Sequence, residues 1–148
     1  MQKRQAVERE HFSSEDHVIR LYKARDDKPL TYATFKILPD REGGAVPSNL
    51  IPKSSFTTDD QEETTTPFYS AEDGSVSAGI WECAPCRVEI SAYPVDEMMT
   101  IISGSLTITN ADGVEETFGP GEVVFASKGA PMTWHITARL KKYFMTSV

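Results

Sequence analysis

The 148-residue chain has no surplus of basic side chains: 15 lysines and arginines face 22 aspartates and glutamates, for a formal net charge of −7. Nucleic-acid binding rests on a cationic stripe that displaces counterions from phosphates, so a DNA or RNA partner is not expected. No run approaches the roughly 18 apolar residues of a membrane-spanning helix, and no membrane association is expected either. The first ten residues lack the apolar stretch that follows the charges of a secretory signal. Cysteine is scarce, with only Cys83 and Cys86. Two thiols are too few for a secreted disulfide scaffold, so a reducing, cytoplasmic setting is the expectation. Helical periodicity is almost missing. What is present is an ordinary globular share of apolar residues, 39% before nine glycines are added, enough for one domain with a sizeable core.

The charge is unevenly placed. Residues 1–75 hold 10 of the 15 basic and 14 of the 22 acidic side chains, which directs the search for a packed core to the second half. Residues 30–38 are rich in β-formers and end at Pro39, which reads as a strand. Residues 39–67 are broken by four prolines and a Gly43-Gly44 pair. They read as a long loop, with a short strand at 48–51 and a solvated acidic turn at 59–63. From residue 68 onward, short β-like runs alternate with turn signals. Strands are expected at 76–82, 87–93, 97–102, 106–109, 114–118, 122–126, 132–137 and 142–146. The sequence Asn110-Ala111-Asp112-Gly113 is a hairpin signal, because Asp-Gly tolerates positive φ. Short strands at about ten-residue spacing imply an all-β sandwich or barrel.

Several segments then carry a resemblance. Ser91-Ala92-Tyr93-Pro94, followed by Glu97 and Gly104, has the layout of the first cupin motif, His-x-His, Glu, Gly. Gly121-Glu122-Val123-Val124-Phe125-Ala126-Ser127-Lys128-Gly129 is similar to the second motif, with Ser127 in place of proline. Gly79-Ile80-Trp81-Glu82, together with Trp134 and the basic-aromatic segment Arg139-Leu140-Lys141-Lys142-Tyr143-Phe144, resembles the ureidoglycine aminohydrolase-type and ethanolamine-utilisation-type cupins. The resemblance implies a single-domain cupin (jelly-roll) β-barrel at 70–148, preceded by an N-terminal arm and loop at 1–69 that packs on it. It further implies a homodimer, in which the 30–38 strand pairs with the partner's sheet and covers an edge.

The usual metal ligands are replaced. Ser91, Tyr93 and Met132 stand where the motifs place histidine, and Glu97 alone remains. One carboxylate, a phenol, a hydroxyl and a thioether make a poor set for a divalent ion. His135 is out of phase with Met132 and Trp134 on a strand. No metal and no cofactor are expected. Motif alignment through Pro94 turns Arg87, Glu89, Ser91 and Tyr93 into the barrel. Counting four residues before Glu97 instead turns Val88, Ile90 and Ala92 inward, and the register stays open between the two.

In the polar-inward register, Glu97 and Tyr93 are the candidate catalytic acid–base pair. Arg87, Glu89, Ser91, Trp81, Met132 and Trp134 are the candidate substrate-binding residues, with Met99 and Phe125 also against the cavity. Arg139, Lys141 and Lys142 are expected to snorkel at the surface. Cys83-Ala84-Pro85-Cys86 joins two strands, not a strand to a helix N-terminus, so it reads as a structural turn and not a thioredoxin-like redox site. The function this supports is metal-independent acid–base chemistry on a small polar or anionic metabolite. The alternatives are a non-catalytic ligand-binding cupin and a metal-dependent aminohydrolase-like one.

Overall fold

Alternation of apolar and polar side chains decides which face of each strand is buried. The computed structural model describes residues 37–39 and 44–148. Among them are eight strands: β1 (Val46–Pro47), β2 (Glu63–Ser70), β3 (Val76–Cys83), β4 (Cys86–Ile90), β5 (Asp96–Asn110), β6 (Glu115–Phe118), β7 (Val123–Ala126) and β8 (Met132–Ser147). The only helix among the described residues is one 3₁₀ turn, Lys53–Ser55. No helix among them is long and apolar enough to cross a membrane.

All pairings are antiparallel, in the order β1-β2-β3-β8-β5-β6, with β4 also on β8 and β7 also on β5. Two long strands, β5 and β8, are shared between the two halves of the barrel. The N-terminal half of β8 pairs with β4, and its C-terminal half with β3. Likewise β5 pairs with β7 at its start and β6 at its end.

The separate strands expected at 97–102 and 106–109 are therefore one strand, bent in the middle. Its buried positions are odd-numbered up to Ile101 and even-numbered from Leu106, and the register on β8 shifts between Ile101 and Thr107. Gly104 sits in this bend with φ +80°, and a Cβ there would lie 2.3 Å from the Arg139 carbonyl oxygen. Only glycine meets both conditions. The strands expected at 132–137 and 142–146 are also continuous, with even-numbered positions inward at both ends. Gly113 (φ +82°) closes the expected 110–113 hairpin.

One expectation changes near the N-terminal side. Strand pairing falls at Val46–Pro47 instead of 48–51. β2 straddles the expected boundary at 69/70 as a full strand of the sheet. Residues 37–39 carry no strand, and the rest of the 30–38 segment lies outside the described residues. The core is built from both halves, with Trp81, Cys83, Met99, Ile101, Leu106, Trp134, Ile136 and Leu140 at its centre.

Candidate functional site

The inward even positions of β8 run Met132, Trp134, Ile136, then Leu140 and Lys142. That parity carries a lysine into the interior, 3% exposed. Register then supplies its partners. Trp81 on β3 lies opposite Lys142, and Glu97 and Met99 enter from β5, where odd positions face inward. The Lys142 Nζ donates to Glu97 Oε1 at 2.7 Å and lies 3.6 Å from Met99 Sδ. It is 5.0 Å from the Trp81 ring centroid and 4.5 Å from that of Trp134, within cation–π range. Tyr93 Oη donates to the other carboxylate oxygen, Glu97 Oε2, and its ring stacks on Trp134. Three ionisable side chains therefore form one chain, Lys142–Glu97–Tyr93, all buried.

Tyr93 reaches this place although β4 ends at Ile90. Its backbone is clipped to the 127–130 turn by Tyr93 N to Ala130 O and Gly129 N to Tyr93 O bonds, 2.9 and 2.7 Å. Burial pushes the Tyr93 phenol well above its ordinary value, helped by the Glu97 charge and hydrogen bond. It is a neutral donor. Burial lowers the Lys142 ammonium from its ordinary value, while Glu97 pulls the other way.

The chain opens onto a cavity of about 580 Å³ whose remaining wall is mostly apolar: Leu50, Ile51, Val88, Ile90, Val95 and Phe144, with Thr65, Ser77 and Thr146 at intervals. The 48–51 segment of that wall is held by a second buried carboxylate. Glu63 accepts from Ser48 Oγ (2.6 Å), Leu50 N (3.1 Å), Ile51 N (2.9 Å) and Trp81 Nε1 (2.9 Å). The expectation of a solvated turn at 59–63 fails at this last residue. Glu63 begins β2 and is turned inward, where four donors replace its water.

The expected site residues divide cleanly. Glu97, Tyr93, Trp81 and Trp134 meet at the cavity. Arg87, Glu89 and Ser91 are exposed and do not line it, because β4 adopts the register that turns Val88 and Ile90 inward. This register turns two β-branched, partly buried residues toward the apolar wall and leaves the two charged side chains in water. The same register does not carry Ala92 inward; it is exposed, in the turn that follows β4. Met132 lies under Trp134, accepting from its Nε1 at 3.2 Å, and is core and not cavity wall. Phe125 is on the outer face, 66% exposed. Lys142 was expected at the surface and is the cation of the site. Its signal was present: it shares strand parity with Trp134.

Cys83 and Cys86 are fully buried free thiols with sulfurs 3.9 Å apart, flanking the turn between β3 and β4. Their mutual hydrogen bond, then burial, pushes the Cys83 thiol up.

The sequence matches the model of the EutQ-like cupin domain over residues 70–144, half of the chain. The chain belongs to the EutQ-like cupin family. Solved structures agree on the fold. A Pseudomonas syringae pv. tomato protein of the DUF861 family, itself of unknown function, superposes with a TM-score of 0.64 at 21% identity over 73% of this chain. This cupin spans 46% of that protein's length. EutQ from Clostridium difficile gives a TM-score of 0.51 at 20% identity, covering 59% of this chain and 68% of its own. The ethanolamine-utilisation protein EutQ of Salmonella typhimurium gives 0.51 at 18% identity, covering 58% and 69%. No curated protein matches the sequence significantly.

Cupin barrels commonly hold a divalent ion, and the residues at the corresponding positions of this cupin do not fit one. Ser91 is outside the cavity, Met132 is behind Trp134, and both oxygens of Glu97 are engaged, one by an ammonium group. A divalent ion needs three or four N or O donors and no cation beside them. No group of three His, Cys, Asp or Glu side chains suited to a metal exists among the described residues.

Proposed function

We propose that this cupin is an enzyme acting on a small molecule by metal-independent general acid–base chemistry in the tryptophan-walled cavity. One observation carries the reading: a hydrogen-bonded Lys142–Glu97–Tyr93 chain lines an otherwise apolar cavity. Glu97 is the proton acceptor, and Tyr93 and Lys142 are the donors that orient it and meet a substrate oxygen. The apolar wall suits a substrate with a largely hydrocarbon body and one polar group, in place of the strongly anionic metabolite that an inward Arg87 would have selected. Isomerisation, elimination, cyclisation and hydrolysis are all within reach of such a pair.

The test is a ligand-induced thermal-shift screen of small metabolites, followed by a turnover assay of every compound that binds. Glu97→Gln and Tyr93→Phe are expected to lower turnover by about 100-fold or more, the usual contribution of a positioned acid or base. Undiminished turnover in both variants overturns the residue assignment. Binding without turnover of any bound compound makes the cavity a binding site and overturns the enzymatic reading.

The partner we propose is a second copy of the chain. Phe125, Met98, Met145, Ala78 and Tyr69 are successive cross-strand neighbours on β7, β5, β8, β3 and β2. Four of them are 42–66% exposed, so they form an apolar stripe across the outer face of the sheet. A two-fold axis would lay this stripe on itself. Sizing at micromolar concentration is expected to show a dimer that Met98→Glu converts to monomer; a monomeric wild-type protein contradicts this. A cytoplasmic location is supported by the two free thiols, which a reducing compartment maintains.

A further inference from the structure

We propose that Lys142 is a nucleophile that condenses with an aldehyde or ketone in the cavity to form an imine. The proposal names the substrate class of the cavity and rests on the reading that the cavity takes a ligand.

The amino group of Lys142 has unusual surroundings for a lysine. Lys142 Nζ has one charged partner, Glu97 at 2.7 Å, and its other neighbours are the Met99 sulfur and two indole faces. A lysine kept only for charge is normally at the surface with its ammonium in water. This one lies on a cavity wall, 3% exposed, and Glu97 is the one carboxylate bonded to it among the described residues. Burial favours the uncharged amine, the form that attacks carbonyl carbon.

The geometry also supplies the proton traffic. The Lys142 ammonium passes a proton to the Glu97 carboxylate along their hydrogen bond, which exposes the nitrogen lone pair. That pair forms the C–N bond as the carbonyl π electrons move to oxygen. A proton passes from nitrogen to that oxygen through Glu97, giving the carbinolamine. The protonated Glu97 then delivers its proton to the hydroxyl as the C–O bond breaks and water leaves. Ammonium and carbonyl compound have become iminium and water, with charge and oxidation state conserved. Tyr93, hydrogen-bonded to Glu97, keeps the carboxylate aimed through both transfers. The product cation stays between Trp81 and Trp134, whose ring faces stabilise a desolvated positive charge, and the apolar wall disfavours the return of water.

Benzaldehyde is a suitable probe, trapped with sodium cyanoborohydride on the intact chain and located by peptide mass spectrometry, while tryptophan emission is followed in parallel. The expected result is a reduced adduct on Lys142 that accumulates at least about tenfold faster than adducts on the exposed Lys53 and Lys128. In Glu97→Gln the Lys142 adduct is expected to slow by about tenfold or more, through loss of the proton carrier. Adducts confined to exposed lysines, with tryptophan emission still shifted by benzaldehyde, overturn the imine and leave the ligand cavity standing. No Lys142 adduct and no shift in emission overturn the proposal and count against the cavity reading as well.

Discussion

Replacing Lys142 by methionine is expected to destabilise the fold by about 3 kcal/mol or more, because it leaves the Glu97 carboxylate buried without its cation. The side chain is of similar length and its environment already includes Met99, so a cavity contributes little to this loss. The dominant cost is electrostatic: Glu97 is 6% exposed and keeps only the Tyr93 hydroxyl as a donor. Adding Glu97→Gln to Lys142→Met removes the stranded charge, so the double variant is expected to recover part of the loss. Urea unfolding of the four species gives the coupling energy, expected at about 1–3 kcal/mol for groups in direct contact. Additive losses would mean that Lys142 and Glu97 do not interact in the folded protein. The comparison also separates the roles of the pair. A buried ion pair is weak support for stability in itself.

Gly104→Ala is expected to cost about 3 kcal/mol or more as well, for a different reason. At φ +80° any side chain pays roughly 1–2 kcal/mol for the left-handed conformation. In addition, the new Cβ would sit 2.3 Å from a backbone oxygen, and 3.0 Å from the Leu140 Cα. Neither neighbour is a flexible side chain that could swing aside. Gly129→Ala is the control: its φ is +84°, but nothing lies within 4 Å of its Cβ. It is expected to lose only the conformational part, about 1–2 kcal/mol. Equal losses at the two glycines would show that the close approach of β5 to β8 at Gly104 is not formed.

Much of the fold was legible because its signals are local. Strand β3 and the 110–113 hairpin follow from β-formers and turn residues that act within a few positions. The continuity of β5 and β8 was less legible, since a bulge at Gly104 looks like a turn in sequence and the polar Arg139-Leu140-Lys141 looks like a strand end. In the site, Glu97 and Tyr93 were identified through motif spacing, and both are where that spacing implies. The register of Arg87 and Glu89 stayed open in the sequence, because it depended on whether alternation ran unbroken up to Tyr93. β4 stops at Ile90, and the turn that follows resets the parity. Lys142 was missed for a different reason: alternation does hold from Trp134 to Lys142, but a charged side chain near a chain end is ordinarily taken as solvated. Glu63 was missed for the same reason, as one acid in a run of acids.

Trp81 and Trp134 are the chain's two tryptophans and both line the cavity, so tryptophan emission reports on this site. Titration with a panel of small neutral molecules carrying one carbonyl or hydroxyl group is the most direct test of the account. The predicted result is a saturable change in emission for at least one compound, with affinity weakened about tenfold or more in Glu97→Gln through loss of a charge-assisted hydrogen bond. Thermal shifts from the same panel with no change in tryptophan emission would place binding elsewhere and contradict it.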